Sequence, residues 1–180
     1  TIRIQDQWGR ERWARTDWDG KLVEVVEPEP NATTNFGLVL SGTGYKTTYE
    51  YDVLGNLTKT LQGDQTREFK YDGLNRMVAQ KLAERTATLD DAGNAGSSWS
   101  DVFKYDDRSN LIERTDARQV SAIFTYNNDP LNRLQSVSYQ TGSANTSPVH
   151  AAPTTTYTYE TGANLDKTRL KTVTVAGIVT

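Results

Sequence analysis

Three aspartates, Asp52, Asp72 and Asp106, recur in equivalent settings, each directly after a tyrosine and ahead of a short polar break. A row of carboxylates is the donor set that a hard cation such as Ca²⁺ would take. The spacing also has an explanation without metal: an aspartate that ends a strand can accept the backbone N–H two residues on and cap a turn, one per hairpin. Asp90-Asp91 and Asp106-Asp107 are adjacent acids, which alternate faces on a strand and read as solvated loop. His150 is the only histidine, and there is no cysteine. A histidine metal site, a Ser/His/Asp arrangement and thiolate chemistry therefore have no support in the spacing. No set of nucleophile, base and stabiliser can be named, so the expectation is a protein that is not an enzyme and carries no metal or cofactor.

Two further groups could recognise a partner. Trp8, Trp13 and Trp18 have ring faces that suit a pyranose and would make a carbohydrate-stacking platform; the other reading is that Trp18 fills an aromatic slot and packs in a core. Arg10, Arg76, Arg133 and Arg169 would pair with an aspartate on a neighbouring hairpin, fixing register more than stability, since exposed pairs contribute about 0–1 kcal/mol. Asn31-Ala-Thr, Asn56-Leu-Thr and Asn145-Thr-Ser fit the glycosylation sequon.

The elements that must hold these residues are written as repeats. Tyr49-x-Tyr51-Asp52, Phe69-x-Tyr71-Asp72, Phe103-x-Tyr105-Asp106, Phe124-x-Tyr126-Asn127 and Tyr157-x-Tyr159-Glu160 share one layout, and ten of the 13 Phe and Tyr residues fall in these pairs. Successive tyrosines are separated by 20, 34, 21 and 33 residues, a bare repeat alternating with one that carries an insertion. Aromatics at i and i+2 share one face of a strand. TTYEYD, TREFKYD and SAIFTYN have strand propensity as well. The Asp ends the strand, and the slot three residues later suits positive φ, held by Gly55, Asn75, Ser109 and Asn132. A return strand follows at 57–61, 77–81, 111–114 and 134–137. In the last copy the return is 168–175, with Asn164-Leu165 as a rival register. QGDQ at 62–65 and DARQ at 116–119 turn the chain into the next hairpin. The fold class expected is all-β, an antiparallel meander of repeated β-hairpins. The chain forms one array over 1–180, with weaker repeats in 1–46 and clear ones in 47–82, 101–140 and 154–180. Loop insertions are expected near 27–46, 83–101 and 140–155, where Gly, Ser, Asn and Pro concentrate. A single hairpin is marginal in water, whereas stacked copies bring their aromatic pairs onto one face, so repetition is how this chain makes a core.

Composition sets the outer bounds. The 180 residues carry a net charge of −3, and no Lys/Arg cluster offsets it, which argues against a nucleic-acid partner. No apolar run is long enough for a membrane span, and TIRIQDQWGR lacks the core of a signal peptide. Thr1 rather than Met opens the chain, which reads as a processed product or a piece of something longer.

On these motifs the chain resembles the YD-repeat, or rearrangement-hotspot (Rhs), family, whose pattern is roughly Tyr-x-Tyr-Asp-x-x-Gly-Arg/Asn-Leu. Tyr49, Tyr51, Asp52, Gly55, Asn56 and Leu57 match it throughout. Phe69, Tyr71, Asp72, Asn75, Arg76 and Met77 match with Asn for Gly and Met for Leu. Phe103, Tyr105, Asp106, Asn110 and Leu111 match with Ser109 in the Gly slot. The Phe124 copy departs, its frame resuming at Asp129 and running through Asn132, Arg133 and Leu134. The resemblance implies a secreted or surface protein whose hairpins spiral into a hollow β-shell. In bacterial polymorphic toxins and insecticidal toxin complexes such a shell encloses a toxic C-terminal cargo; in teneurins it supports adhesion. Asp129-Pro130 is similar to the start of the self-cleaving motif of some Rhs shells, but Asn132 and Arg133 stand where that motif has Gly and Leu, so it reads as a turn. The strands around Ile2 and Ile4 and around Val173 and Val175 would leave open edges. Neighbouring repeats or further copies of the chain are then the expected partners, and a free-standing chain would form an extracellular head-to-tail filament.

Overall fold

A computed structural model of the protein describes residues 1–8, 10–28, 45–126, 131–142, 152–160, 169–175 and 178–179. These form fourteen strands: β1 (Ile2–Gln5), β2 (Glu11–Thr16), β3 (Leu22–Glu27), β4 (Tyr45–Tyr51), β5 (Leu57–Gln62), β6 (Gln65–Tyr71), β7 (Met77–Lys81), β8 (Asp101–Tyr105), β9 (Leu111–Asp116), β10 (Val120–Thr125), β11 (Ser136–Thr141), β12 (Thr155–Tyr159), β13 (Leu170–Val175) and β14 (Ile178–Val179). They make one sheet in which every strand pairs antiparallel with its neighbours in sequence, and no described residue is helical. The all-β hairpin meander is therefore the observed fold.

Register places the aromatic pairs. Tyr49 lies opposite Thr60, which lies opposite Arg67, so Phe69 and Tyr71 share the face of Tyr49 and Tyr51. The same parity runs from Phe69 through Gln80 and Asp101 to Phe103 and Tyr105, then through Arg114 and Ala122 to Phe124. Val137 and Thr155 carry it on to Tyr157 and Tyr159. All of these rings are half-buried, and among the described residues the strands form a single sheet with no second sheet over the aromatic face. The opposite face is crossed by Glu24–Lys46, Glu50–Lys59 and Glu113–Lys104 ion pairs.

A recurring bulge bends the strip. Register shifts at Arg15/Thr16, Glu50/Tyr51, Lys70/Tyr71, Lys104/Tyr105 and Thr158/Tyr159, each one step before a rim turn. In each hairpin the return strand holds the extra residue: Val23, Thr58, Val78, Ile112 or Lys171. A bulge bends its strand and sharpens the local twist, so repeating it at one position curves the whole sheet the same way.

The 83–101 segment is more than a surface loop, which corrects the expectation from its composition. Leu89 in this segment is 0% exposed and packs with Ala79 and Val102 on the face opposite the aromatics, with Trp99 against the cluster. Leu89 bridges to Ala95 and Trp99, and Lys70 pairs with Asp91 at 2.8 Å, which fastens the insertion across the sheet. Two smaller differences concern strand ends. The fourth return strand starts at Ser136, not at Leu134. The last return strand follows the 168–175 register as β13.

Candidate functional site

The Asp turns form the most regular polar assembly in the molecule. Asp52 Oδ1 accepts the backbone N–H of Leu54 at 2.9 Å and of Asn56 at 2.8 Å, and Gly55 sits at φ 89°. Asp72 does the same with Leu74 and Arg76, and Asp106 with Arg108 and Asn110. Asn75 and Ser109 fill the positive-φ slot at 62° and 65°. Asp6, Asp17, Asp90 and Asp116 build the same turn without the aromatic pair upstream; Asp6 and Asp17 lie in the weaker repeats of 1–46, Asp116 opens the DARQ turn, and Asp90 stands where the sequence reads as solvated loop. Hydrogen bonds from the Asn56 side chain, and likewise from Arg76 and Asn110 in their turns, hold the carboxyls of Asp52, Asp72 and Asp106 below the ordinary aspartate range. Both oxygens of each carboxylate are thus engaged. Among the described residues no three His, Asp or Glu side chains converge as a metal site would require.

Turns at one end of the hairpins lie side by side and are joined. The residue four places after each Asp reaches the positive-φ residue of the next turn: Asn56 Nδ2 donates to Asn75 Oδ1 at 2.8 Å, Arg76 Nη1 to Ser109 Oγ at 3.2 Å, and Asn110 Nδ2 to Asn132 Oδ1 at 2.7 Å. Lys21 occupies the same relation to Gly55, whose missing Cβ would lie 3.1 Å from the Lys21 Cε. The expectation that Arg10 and Arg76 pair with a neighbouring aspartate needs correction. Each binds its own Asp, Arg10 to Asp6 and Arg76 to Asp72, both at 2.7 Å. Arg76 then continues to the Asp106 carbonyl and stacks 4.8 Å from the Tyr105 ring centroid, as Arg133 stacks 4.4 Å from Tyr159. A planar guanidinium can do all three, which a lysine could not.

The second aromatic of each pair has its own task. Tyr51 donates its hydroxyl to the Leu22 carbonyl, Tyr105 to Met77, Tyr126 to Leu111 and Tyr159 to Leu134, at 2.6–3.2 Å. Leu22, Met77 and Leu111 open the return strand of the preceding hairpin, and Leu134 lies two residues before it. Burial pushes the phenols of Tyr51, Tyr105 and Tyr126 up, keeping them protonated donors, and it raises that of Tyr71 likewise. The second aromatic is Tyr in all five copies while the first is Tyr or Phe, and in four of the five this bond accounts for the choice.

The tryptophans are not brought together. Trp8 and Trp18 stand in turns at opposite ends of β2, 68% and 94% exposed, while Trp13 is half-buried with the Arg3 guanidinium 5.7 Å from its ring. The reading of Trp18 as a core aromatic is corrected: Thr16, directly before Asp17, takes that slot, and Trp18 is at the turn tip. Val53, Leu54, Leu74 and Leu131 occupy the matching tips of other turns and are also exposed, so this rim carries a row of apolar side chains. Ile2 and Ile4 lie exposed on the outermost β1; on β13, one strand in from the opposite edge, Val175 is exposed and Val173 half-buried. His150, Asn127, Asp129, Pro130, Asn31, Asn145, Asn164 and Leu165 lie outside the described residues. Asn56, the remaining sequon asparagine, has its amide committed to Asp52 and Asn75.

The sequence matches no protein-family model and no curated protein. Solved structures do resemble it. Over 92% of its length the chain superposes on the TcdB2-TccC3 crystal structure, with a TM-score of 0.61 and 13% identity. TcdB2-TccC3 without its hypervariable C-terminal region gives 0.60 and 12% over 93% of the chain. The Photorhabdus luminescens Tc holotoxin pore gives 0.60 and 11% over 92%. The chain spans only 7–8% of the length of those structures. At such identity the likeness is one of fold, and it supports the YD-repeat resemblance at that level: this chain has the architecture of a short stretch of Tc toxin complex chains.

Proposed function

We propose that this chain is a non-catalytic section of wall in a secreted or surface β-shell built from YD repeats. The observation that carries the reading is the interlocking of hairpins in one sheet whose aromatic face, among the described residues, bears no second sheet: each hairpin is completed by hydrogen bonds from the next, and one bulge recurs at the same position. A globular domain would cover its aromatic face with a second layer. A shell wall has its inner face turned to a lumen instead, where an encapsulated cargo would lie. The apolar turn tips and the unpaired outer edges of β1 and β14 are surfaces that further repeats would cover. The fold likeness to Tc toxin chains favours this over an adhesive or carbohydrate-binding module, for which Trp8, Trp13 and Trp18 provide no common platform. Should the chain stand alone, its two edge strands would pair head to tail in an extracellular filament.

Electron cryomicroscopy of the product of the full reading frame tests the proposal. The expected result is a continuous sheet around a lumen, with Tyr49, Phe69 and Phe103 facing inward. A sheet whose aromatic face is turned to bulk solvent, or is sealed by an unrelated domain, overturns it.

A further inference from the structure

The aromatic face is not uniform. Over β9 to β12 it deepens into an open concavity of about 1100 Å³. One end is cationic. Asp101 is 0% exposed there and accepts hydrogen bonds from Arg85 Nη1 at 3.0 Å, Arg114 Nη2 at 2.8 Å and Gln80 Nε2 at 3.0 Å. A single buried carboxylate thus fixes two guanidiniums, each about two-fifths exposed, and leaves one positive charge unbalanced. Arg118 lines the same end and is paired with Asp116 at 2.5 Å. The rest of the lining is apolar and aromatic, from Val120, Ala122 and Phe124 across to Val137, Tyr139 and Tyr157.

We infer that this concavity docks an extended polypeptide segment carrying acidic and large apolar side chains. The two features select that ligand together. Fixed guanidiniums favour carboxylates by bidentate geometry and charge. The aromatic floor takes apolar side chains, and its run across β9 to β12 suits an extended segment. The concavity is too open and too long to enclose a small molecule, which is buried on most of its surface when bound. The inference goes beyond the wall reading and stands whether or not the sheet closes into a shell.

The test is fluorescence anisotropy of the 180-residue chain with a labelled peptide that alternates Glu with Leu and Phe, against the same peptide with Lys for Glu. The acidic peptide is expected to bind at least about tenfold tighter, with affinity falling as salt rises. The double variant Arg85→Gln, Arg118→Gln should lose about tenfold in affinity, since it leaves Asp101 bonded to Arg114 and Gln80 and so keeps the fold. Tyr139→Ser, at the exposed far end, is a second variant expected to weaken binding independently. Equal binding of both peptides, no binding at millimolar concentration, or indifference to both variants overturns the inference. So does full competition by inorganic phosphate combined with indifference to the apolar residues of the peptide, which would reduce the site to an anion contact.

Discussion

The hydroxyl of Tyr105 donates to the carbonyl of Met77, 28 positions earlier in the chain, at 2.8 Å. Met77 opens the return strand of one hairpin and Tyr105 ends the outgoing strand of the next, so one phenol couples two repeats across the 83–101 insertion. Tyr105→Phe removes the donor and leaves a half-buried carbonyl without its partner, a loss of about 1 kcal/mol. Tyr49→Phe, at a first position that other copies fill with Phe, should stay within about 0.5 kcal/mol of the parent. Urea midpoints of the two variants check this, and equal midpoints would remove the hydroxyl from the account.

Leu89 anchors the insertion. Leu89→Ala should cost about 2–5 kcal/mol, the range for a fully buried leucine that leaves a cavity. Hydrogen exchange should then show 86–100 opening while β4 to β6 remain protected. A variant as stable as the parent would mean that the insertion is passenger loop.

The acidic turns set the pH dependence. The carboxyls of Asp52, Asp72 and Asp106 titrate below the ordinary value of 3.8 in the folded chain, so the unfolded chain takes up protons first as pH falls. Their contribution is present above about pH 4 and is lost as pH drops through the folded values. Chemical denaturation midpoints should accordingly hold steady from about pH 7 to 5 and decline below about 4. Asp72→Asn, which keeps an acceptor for the turn but loses the charge, should decline less steeply. A midpoint rising toward acid would contradict the assignment.

Backbone geometry separates two residues with the same φ sign. Gly55 lies at φ 89° with the Lys21 side chain against it, so Gly55→Ala combines left-handed strain with a displaced lysine and should cost about 1–2 kcal/mol. Gln119 holds φ 60° with a side chain in place, and Gln119→Gly should gain about 0.5–1 kcal/mol. Thermal melts of both variants measure the opposite signs.

Chelation supplies a negative control for the aspartate row. The carboxylates of Asp52, Asp72 and Asp106 are occupied by turn N–H groups and by side chains four residues on, so EDTA should leave the melting midpoint unchanged. A clear fall would revive the row as a Ca²⁺ site.

Much of this was legible in the sequence for a physical reason: strand pairs with an Asx turn between them leave a periodic imprint, and five copies make it unmistakable. The positive-φ slot was readable because Gly, Asn and Ser fill it. Other features were written less plainly. Three of the bulges are foreshadowed by two consecutive strand-forming residues, Leu57-Thr58, Met77-Val78 and Leu111-Ile112, and the one at Leu170-Lys171 has no such sign. Leu89 was hidden because it is one apolar residue among Gly, Ser and Asp, and its burial depends on Ala79 and Val102, which no local pattern links to it. The Asp101 cluster joins residues from β7, the insertion, β8 and β9, and becomes visible only once register is fixed. Trp18 misled because aromatic character was taken for the Tyr slot, whereas position relative to Asp17 decides it.

The contacts between hairpins are reciprocal but staggered in sequence: the earlier turn offers Asn56 or Arg76 to the later one, and the later strand returns a tyrosine hydroxyl to the earlier carbonyl. A ribosome or a secretion channel delivers the chain from its N-terminal side, so each hairpin that emerges finishes the one before it and waits for the one behind. Folding of such a strip can follow the order of synthesis, with one loose repeat at the moving front and everything behind it already locked. A long chain of this kind need never expose more than a hairpin's worth of unsatisfied backbone while it is being made.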